Sequence, residues 1–541
     1  MRLSFTALAA SFAFAPLAAA FGGHGMRMDV GPDDVSDADL QKRAALRGWG
    51  TFDQLIDHSN KSLGTFKQRY WYGTEHWKGP GSPIYLISPG EQSGDGFNRT
   101  WLTSQRLSGL MAKETGGAIV ILEHRYWGES SPYTNLTEEN LKYLTLENAL
   151  KDHIHFAKTF VPPFDKSGNS SADKAPWIFV GGSYSGALAG WLAAKEPGTF
   201  WAYYSSSGVV EAIGDFWQYF VPVQEATPKN CSSDVGLVID YVDYVLTHGS
   251  KKKKQALKAK FGLKELNDAD FAATLEWGPW QWQSGQFYSE YQPFYLFCDY
   301  VENVWPNSTH KVPGPHGVGL SKALDGYAKY IKEQIIPGAC EAAGYPEWKG
   351  EYNIECFKNS DPDNVAYKDL SLDNWINRQW NWMLCNEPFE WWQDGAPRNR
   401  STLVSRLVTA DYWRKQCALH FPNGGYSLAE GKRAKDVNKW TGGWSVTNTT
   451  RAMHTNGQYD PWRDATLSSK FRPGGPVQST EQLPVRVVKG GMHCSDLYGA
   501  NWEVNDGVKN LALDATEQMT EWVKEWYEEK GLPVPWDRSR N

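Results

Sequence analysis

The chain has 541 residues, which exceeds the usual size of one domain and predicts two domains or one domain with a large insertion. Its net charge of -7 and its pI of about 6.0 argue against a nucleic-acid partner. Hydrophobic residues make up 41% of the chain, enough for a sizeable core, and we assign most of the 27 tryptophans to packing.

The N-terminus predicts a secretory signal peptide over residues 1–20. A basic residue is followed by an apolar stretch at 3–17 and by a cleavage site of small residues at 18–20. No later segment is long and uncharged enough to span a bilayer, so we expect a secreted protein that is not bound to a membrane. Residues 21–43 end in Lys42-Arg43 and are interpreted as a pro-segment with a dibasic processing site, with a disordered leader as the alternative.

Glycosylation sequons and cysteines both fit export. The sequons begin at Asn60, Asn98, Asn135, Asn169, Asn230, Asn307, Asn399 and Asn448. The seven cysteines all follow residue 230, and in an oxidising compartment they predict disulfides with one thiol left over. None of them has the short paired spacing of a zinc site, so we predict neither a metal nor another cofactor.

The first part of the chain, residues 44–213, alternates short apolar runs with helical stretches. Strands are predicted at Ile84–Ile87, Ala118–Leu122, 177–180 and 201–204. This alternation is typical of a parallel α/β sheet.

A glycine-rich turn directly follows the third of these strands, with the sequence Gly-Gly-Ser-Tyr-Ser-Gly at residues 181–186. A strand, a tight glycine turn and a helix form the context in which a nucleophile elbow presents a serine, here Ser183. The usual Gly-x-Ser-x-Gly pattern is met at Gly181 but not at Ser185, which stands where the second glycine is expected. The alternative interpretation is a glycine-rich turn with incidental serines.

Residues 214–441 change to a helical pattern. Apolar stripes at helical spacing occur at Val238, Tyr241, Val242, Val245, Leu246, Leu324, Tyr327, Ile331 and Ile335. The lysine run 251–254 is interpreted as a solvated helix start. Six of the seven cysteines lie in this region, so we predict a helical unit stabilised by disulfides.

The α/β pattern returns in residues 442–541. Short strands are predicted at 450–453 and Val485–Val488, and a long amphipathic helix at Asp506–Lys530. A helical unit between two halves of one sheet domain is the arrangement in which α/β-hydrolases carry a cap. The sequence therefore predicts an α/β-hydrolase fold with a large inserted helical cap.

The same order of elements predicts where an acid and a base for the serine lie. In α/β-hydrolases both follow the nucleophile late in the chain, the acid first. Asp460 lies on a loop after one predicted strand, and His493 lies among glycines after the last one. The rivals are Asp464 and Asp496 for the acid, and His454 for the base, which we reject because it precedes the acid and lies nearer the strand.

Several motifs resemble those of the S28 family of serine peptidases. They are Gly-Gly-Ser-Tyr at 181–184, Glu-His-Arg-Tyr-Trp-Gly at 123–128, Asn-Gly-Gln-Tyr-Asp-Pro-Trp at 456–462, His493 with Asp496 and Leu497, and Arg-Gln-Trp-Asn-Trp at 378–382 before Cys385. Within the family, the chain is most similar to the fungal secreted acid prolyl endoproteases. The resemblance implies proline-containing peptide or protein substrates, cleavage after proline, and activity in mildly acidic surroundings.

The predicted reaction is acyl transfer, with Ser183 as nucleophile, His493 as base and Asp460 orienting the imidazole. We expect the backbone N–H of Tyr184 to be one oxyanion donor, and the loop at Gly90 to supply a second, with an ordinary turn glycine as the alternative for Gly90.

Three more residues are considered for substrate binding. By resemblance, Trp462 is a wall of the proline pocket, with anchoring of the Asp460 loop as the alternative. Glu91 and Glu387 are interpreted first as structural carboxylates and second as contacts for a substrate amine.

Other activities remain open from the sequence. A Pro-X carboxypeptidase or dipeptidyl peptidase of the same family is the first alternative, because the choice depends on whether the cap blocks the cleft. A capped lipase or esterase and a catalytically inactive binding protein are the others. Disulfide pairing, pH optimum and oligomeric state are not fixed by these patterns.

Overall fold

The computed structural model describes residues 44–289, 291–304 and 311–536. The predicted signal peptide and pro-segment and the sequon at Asn307 lie outside these residues. The described chain contains one sheet. Its strands are β1 (Arg47–Leu55), β2 (Thr65–Gly73), β3 (Ile84–Ile87), β4 (Ala118–Leu122), β5 (Trp177–Gly182), β6 (Ala202–Ser206), β7 (Ala452–Gly457) and β8 (Val485–Val488).

The strands are ordered β1-β2-β4-β3-β5-β6-β7-β8. The pairs from β4 through β3 and β5 to β8 are parallel, whereas β1 pairs with β2 and β2 with β4 in antiparallel fashion. The expectation of a parallel sheet is therefore confirmed for the pairs among β3 to β8 and is wrong at the edge formed by β1 and β2.

The hairpin of β1 and β2 is absent from the predicted strands because polar side chains occupy inward positions of β2. Gln68 and Arg69 are both buried. The amide of Gln68 donates to the carbonyl of Glu123 at 2.7 Å, and the guanidinium of Arg69 lies 2.6 Å from the Glu123 carboxylate. A buried hydrogen bond and a buried ion pair thus replace the apolar alternation by which a half-buried strand is recognised.

Helices cover both faces of the sheet and enclose the core. Those contributed by the first and last parts of the chain are α1 (Leu107–Thr115), α2 (Glu138–Leu141), α3 (Leu146–Thr159), α4 (Tyr184–Lys195), α15 (Gly499–Val504) and α16 (Asp506–Lys530). Every residue of β3, β4, β5 and β6 is buried. Strands covered on both faces read as continuous apolar runs, which is why β3 to β5 were predictable from sequence.

Between β6 and β7 the described chain is mostly helical. The helices are α5 (Phe220–Ala226), α6 (Lys229–His248), α7 (Lys251–Lys260), α8 (Asp268–Leu275), α9 (Trp277–Trp280), α10 (Pro293–Val301), α11 (Leu320–Tyr330), α12 (Arg378–Asn386), α13 (Ala410–His420) and α14 (Ala434–Thr441). A π-helical turn at Ile331–Ile335 extends α11. The strand order and the helices inserted after β6 make this an α/β-hydrolase fold with a helical cap.

Three disulfides link parts of the helical region, as the cysteine pattern predicted. They join Cys231 to Cys298, Cys340 to Cys356, and Cys385 to Cys417. The remaining thiol is the buried Cys494, next to His493. Among the described residues, none of the helices combines the length and apolar character needed to cross a bilayer.

Candidate active site

Ser183 occupies a sharp turn between β5 and α4. Its φ of 60° and ψ of -124° are rarely adopted by a residue with a side chain. The turn closes tightly because a Cβ on Gly181 would lie 2.0 Å from the carbonyl oxygen of Ser185. A Cβ on Gly186 would lie 2.6 Å from the carbonyl oxygen of Ser206, so the second close approach is made one residue after Ser185. This local geometry is that of a nucleophile elbow.

The imidazole of His493 lies between the serine and a carboxylate. Its Nε2 is 2.9 Å from Oγ of Ser183, and its Nδ1 is 2.9 Å from Oδ1 of Asp460. The side chains of Asp460 and Ser183 are fully buried, and His493 is 3% exposed. The structure thus brings together the three residues that the order of elements selected.

Asp460 is held by several donors. The backbone N–H of Trp462 donates to its Oδ1 at 2.9 Å, and the amide of Asn456 to its Oδ2 at 3.4 Å. Burial alone would raise the pKa of this carboxyl, but the charge and hydrogen bond of His493, with a further bond from Ser207, bring the pKa below its usual value. Asp460 is therefore the ionised partner of the pair.

The pKa of His493 shifts in the opposite direction. Burial lowers it, but the neighbouring side chains of Cys494 and Asp460 outweigh burial and raise it well above its usual value. The resemblance implied a base that stays neutral in mildly acidic surroundings. A raised pKa works against that property, because it favours the imidazolium.

The two rival acids, Asp464 and Asp496, are bound by side chains and backbone groups other than the imidazole of His493. Asp496 accepts hydrogen bonds from the hydroxyls of Tyr204, Ser206 and Thr455. Asp464 is bound by Arg463 and by the backbone N–H of Lys470.

His454 is fully enclosed on β7, and burial lowers its pKa to about 4. Its Nε2 has no hydrogen-bond partner in the described part of the chain.

Comparison with known proteins decides the family. The family described as "Serine carboxypeptidase S28" matches residues 54–510. The chain belongs to this S28 family of serine peptidases. It is 41% identical to a protein named serine protease vicPa from Bipolaris victoriae over 94% of both chains. It is 30% identical to a probable extracellular serine carboxypeptidase from Arthroderma benhamiae, over 76% of this chain and 58% of that protein.

Among solved structures, the S28 chain is matched by an esterase from Pyrobaculum calidifontis at 8% identity and a TM-score of 0.32, covering 89% of this chain and 88% of the esterase.

In this S28 peptidase, the two groups predicted as oxyanion donors, Tyr184 and the loop at Gly90, both lie next to the elbow of Ser183. Tyr184 is the first residue of α4, where backbone N–H groups have no acceptor within the helix. Gly90 has a φ of 79°, and a Cβ at its position would lie 2.9 Å from Oγ of Ser185. The loop at Gly90 therefore runs directly beside the elbow.

Trp462 forms part of an aromatic cluster next to Asp460. Its ring centroid lies 5.6 Å from that of Phe216 and 5.0 Å from that of Tyr219. Oε1 of Gln283 accepts hydrogen bonds from the indole of Trp462 at 3.0 Å and from the hydroxyl of Tyr219 at 2.8 Å. Sequence reasoning missed Phe216, Tyr219 and Gln283, because neither an aromatic residue nor a glutamine carries a chemical signature of its own.

Glu91 and Glu387 both lie close enough to Tyr184 to act electrostatically on its hydroxyl. Glu91 is buried, and its carbonyl accepts from Asn377 at 3.4 Å. Glu387 accepts from Asn386 at 3.0 Å, and burial raises its pKa to about 7.

Most of the predicted sequons that the structure describes are accessible. Exposed asparagines occur at Asn60, Asn98, Asn135, Asn169, Asn399 and Asn448. Asn230 is partly buried and donates to Glu302 at 3.1 Å.

A cavity of about 1150 Å³ is lined by residues that include Asp215, Tyr244, Asp394 and Arg414. It is not lined by Ser183, and we assign no part of the reaction to it. In the described ranges, no group of three or more histidine, cysteine or acidic side chains is arranged to hold a metal ion.

Proposed function

We propose that this S28 peptidase cleaves peptide bonds on the carboxyl side of proline, with Ser183, His493 and Asp460 as its catalytic triad. The observation that carries the proposal is the position of the His493 ring, 2.9 Å from both Ser183 Oγ and Asp460 Oδ1. A serine hydroxyl is a weak nucleophile until a base takes its proton, and the base needs a carboxylate to fix its tautomer. The positions of these three side chains support both requirements.

The reaction follows from these positions. Ser183 Oγ attacks the carbonyl carbon of the substrate while its proton passes to Nε2 of His493. The negative charge that develops on the carbonyl oxygen is stabilised by the N–H of Tyr184 and by a second donor from the loop at Gly90. The same proton then passes to the leaving amine, and a water molecule hydrolyses the acyl-enzyme by the same steps.

Preference for proline is supported by the aromatic cluster beside the acid. Proline has a rigid apolar ring and no N–H, so it is recognised by flat apolar walls and not by hydrogen bonds. Trp462 on the loop that carries Asp460, and its neighbours Phe216 and Tyr219 from the segment before α5, offer such walls. Glu91 and Glu387 remain structural carboxylates in this proposal.

Endopeptidase action is the proposed mode, and Pro-X carboxypeptidase or dipeptidyl peptidase action is the alternative. One observation favours the alternative: Ser183 has no exposed surface, so access to it is restricted. Digestion of a long protein with several prolines separates the two. Internal fragments support the endopeptidase, whereas release of single residues or dipeptides supports the exopeptidase.

We also propose that the protein is secreted and glycosylated, with the sheet domain formed by residues 44–213 and 442–541 and the cap by 214–441. Three disulfides and six exposed sequon asparagines support an oxidising secretory route. N-terminal sequencing of the secreted protein tests both the signal peptide and processing at Lys42-Arg43.

The triad and the specificity are tested together by matched peptides that differ only in proline or alanine before the cleaved bond. We expect kcat/KM to favour proline in the wild type, and the preference to decrease in Trp462→Ala. Ser183→Ala should abolish turnover and labelling by a fluorophosphonate, while Ser185→Ala retains both. Equal preference in wild type and Trp462→Ala would remove Trp462 from the pocket, and turnover by Ser183→Ala would refute the nucleophile.

A further inference from the structure

One turn of the helical region contacts both loops that carry the acid and the base. This turn, called here the cap turn, is the sequence Trp-Gln-Ser-Gly-Gln at residues 282–286, directly after α9. Trp282 and Gln286 are almost fully buried, at 2% and 3% exposure, whereas Ser284 between them is exposed. Polar side chains that are buried at a surface turn need partners, and the partners here belong to the active site.

The cap turn binds the acid loop at two points. The indole N–H of Trp282 donates to the carbonyl oxygen of Tyr459, the residue before Asp460, at 2.8 Å. Oε1 of Gln283 accepts from the indole of Trp462, two residues after Asp460, at 3.0 Å. The cap turn therefore holds the main chain before the acid and the indole side chain after it.

The base loop is attached at the base itself. Nε2 of Gln286 donates to the carbonyl oxygen of His493 at 3.1 Å, and Oε1 of Gln286 accepts from the amide of Asn501 at 2.8 Å. Asn501 is buried and also donates to the carbonyl of Ser495 at 2.8 Å. A Cβ at Gly285 would lie 2.8 Å from Sδ of Met492, so the turn packs closely on the residue before the base.

We propose that the cap turn sets the position of Asp460 relative to His493, with Trp282 and Gln286 as positioning residues and Gln283 as the residue that fixes the pocket wall. Asp460 and His493 come from separate loops, after β7 and β8, and the cap turn hydrogen-bonds to both. Reacting groups must be held within fractions of an ångström, and a shift of about 1 Å costs about 100-fold in rate. This inference rests on the proposed triad and deepens it.

The proposal assigns different kinetic effects to neighbouring residues. Gln286→Met removes the donor to His493 with little change in volume, so kcat should fall about 10- to 100-fold with KM within about twofold. Trp282→Phe keeps a ring but removes the donor to Tyr459, and should have the same effect. Gln283→Met releases the indole of Trp462, so KM for the proline substrate should rise while kcat changes less. Ser284→Ala, in the same turn, is the control and should match the wild type.

A purely structural role of Gln286 is tested by Gln286→Glu, assayed on the alkaline side where its carboxyl is ionised, so that it keeps an acceptor for Asn501 but loses the donor to His493. Loss of kcat in this variant, with a thermal midpoint near that of wild type, supports the positioning role. A wild-type kcat in Gln286→Glu would overturn it. A Trp282→Phe protein that is less stable but has a wild-type kcat per folded molecule would overturn it as well.

The rate of fluorophosphonate labelling separates this inference from the proposed specificity. Labelling reports activation of Ser183 without requiring proline. If the wild type is labelled but does not cleave proline peptides, the proposed specificity fails while the labelling rates of Trp282→Phe and Gln286→Met still test the cap turn. Slower labelling of both variants supports the inference, and rates equal to the wild type refute it.

Discussion

Asp460 and Asp496 are both buried carboxylates near His493, and their partners distinguish them. Asp460 meets the imidazole, whereas Asp496 accepts three hydroxyl hydrogen bonds, including those of Ser206 at 2.6 Å and Thr455 at 2.8 Å. These bonds attach the His493 loop to the carboxyl ends of β6 and β7. Asp496 therefore acts on the fold of the loop, and Asp460 on the charge and tautomer of the base.

The two asparagine variants should differ in kinetics. Asp460→Asn leaves the imidazole without its carboxylate, so kcat should fall by about 10⁴-fold, as expected when the orienting acid of a triad is lost. Asp496→Asn should lower the thermal midpoint while kcat stays within about tenfold of wild type. The opposite ranking of the two kcat values would exchange the roles.

The same pair predicts the pH dependence of catalysis. In the wild type, kcat/KM should fall as the pH falls through the raised pKa of His493, because the imidazolium cannot accept the proton of Ser183. Asp460→Asn removes one of the two side chains that raise this pKa and leaves Cys494, so the residual activity should decline at lower pH than in wild type. A wild-type plateau that extends below about pH 5 would contradict the direction of the shift and agree with an acid-active enzyme.

At the level of residues, chemistry decided what the sequence could reveal. Ser183, Asp460 and His493 were identifiable because each follows a predicted strand and belongs to a residue type with a role in acyl transfer. Ser207 and Gln286 were not, because each acts through hydrogen bonds to groups far away in the chain. Gln286 and His493 are separated by 207 positions, and no local pattern connects them.

Among the elements, α4 requires a glycine where it packs against β6. It packs against β6 so closely that a Cβ on Gly186 would also lie 2.9 Å from Cα of Gly208. Both of the nearest obstacles, this atom and the carbonyl oxygen of Ser206, are main-chain atoms, so neither can move as a flexible side chain would. In α6, by contrast, a Cβ on Gly236 would meet no atom within 4 Å.

Two glycine-to-alanine substitutions in helices should therefore have opposite effects. Gly186→Ala forces α4 away from β6 and should lower the free energy of unfolding by about 1–3 kcal/mol, with loss of activity because Ser183 is three residues away. Gly236→Ala should raise it by about 0.5–1 kcal/mol, since alanine favours a helix interior, without an effect on kcat. Chemical denaturation of both variants measures this. Equal stability changes would mean that the close approach of α4 is not required.

The elements also differ in how well the sequence predicted them. Asp506–Lys530 and Lys251–Lys260 begin at the predicted positions, since the first carries a long amphipathic pattern and the second follows the capping side chain of Ser250. The strand predicted at 450–453 is instead β7, which starts at Ala452 and continues to Gly457. Its last residues are buried but polar, because they lead into the active site.

In the whole molecule, enclosed histidines make the free energy of unfolding decrease as the pH falls. Burial lowers the pKa of His124 and His420 to about 3, and that of His153 and His454 to about 4. In the unfolded chain histidine titrates at about pH 6.5. Below that pH the unfolded chain binds protons that the folded protein does not, so the free energy of unfolding falls as the pH falls.

Enclosed carboxyls have the opposite effect. Burial raises the pKa of Glu211 and Glu387 to about 7, that of Glu302 to about 8, and that of Glu276 well above its usual value. In the unfolded chain glutamate titrates at about pH 4.3. Above that pH the unfolded chain releases protons that the folded protein keeps, so the free energy of unfolding falls as the pH rises.

The two effects overlap between about pH 4.3 and 6.5 and oppose each other there, so the protein should be most stable in this range. Above this range the enclosed carboxyls, and His493 with its raised pKa, lower the free energy of unfolding as the pH rises. Below it the enclosed histidines, and Asp460 with its lowered pKa, lower it as the pH falls. Thermal unfolding from about pH 3 to 9 should therefore show a maximum on the mildly acidic side, unlike the rising activity expected from His493. A thermal midpoint that increases steadily up to about pH 8 would contradict this balance.

Glu276 gives the sharpest test of the alkaline side. It is fully buried, and in the described part of the chain neither of its carboxyl oxygens has a hydrogen-bond partner. Glu276→Gln replaces the proton-dependent group by a neutral amide of the same shape, so the loss of stability above about pH 6.5 should become shallower, by up to about 1.4 kcal/mol per pH unit. Glu265→Gln, at an exposed position, is the matched control and should follow the wild-type curve. Parallel curves for Glu276→Gln and the wild type would mean that Glu276 does not hold its proton in the folded protein.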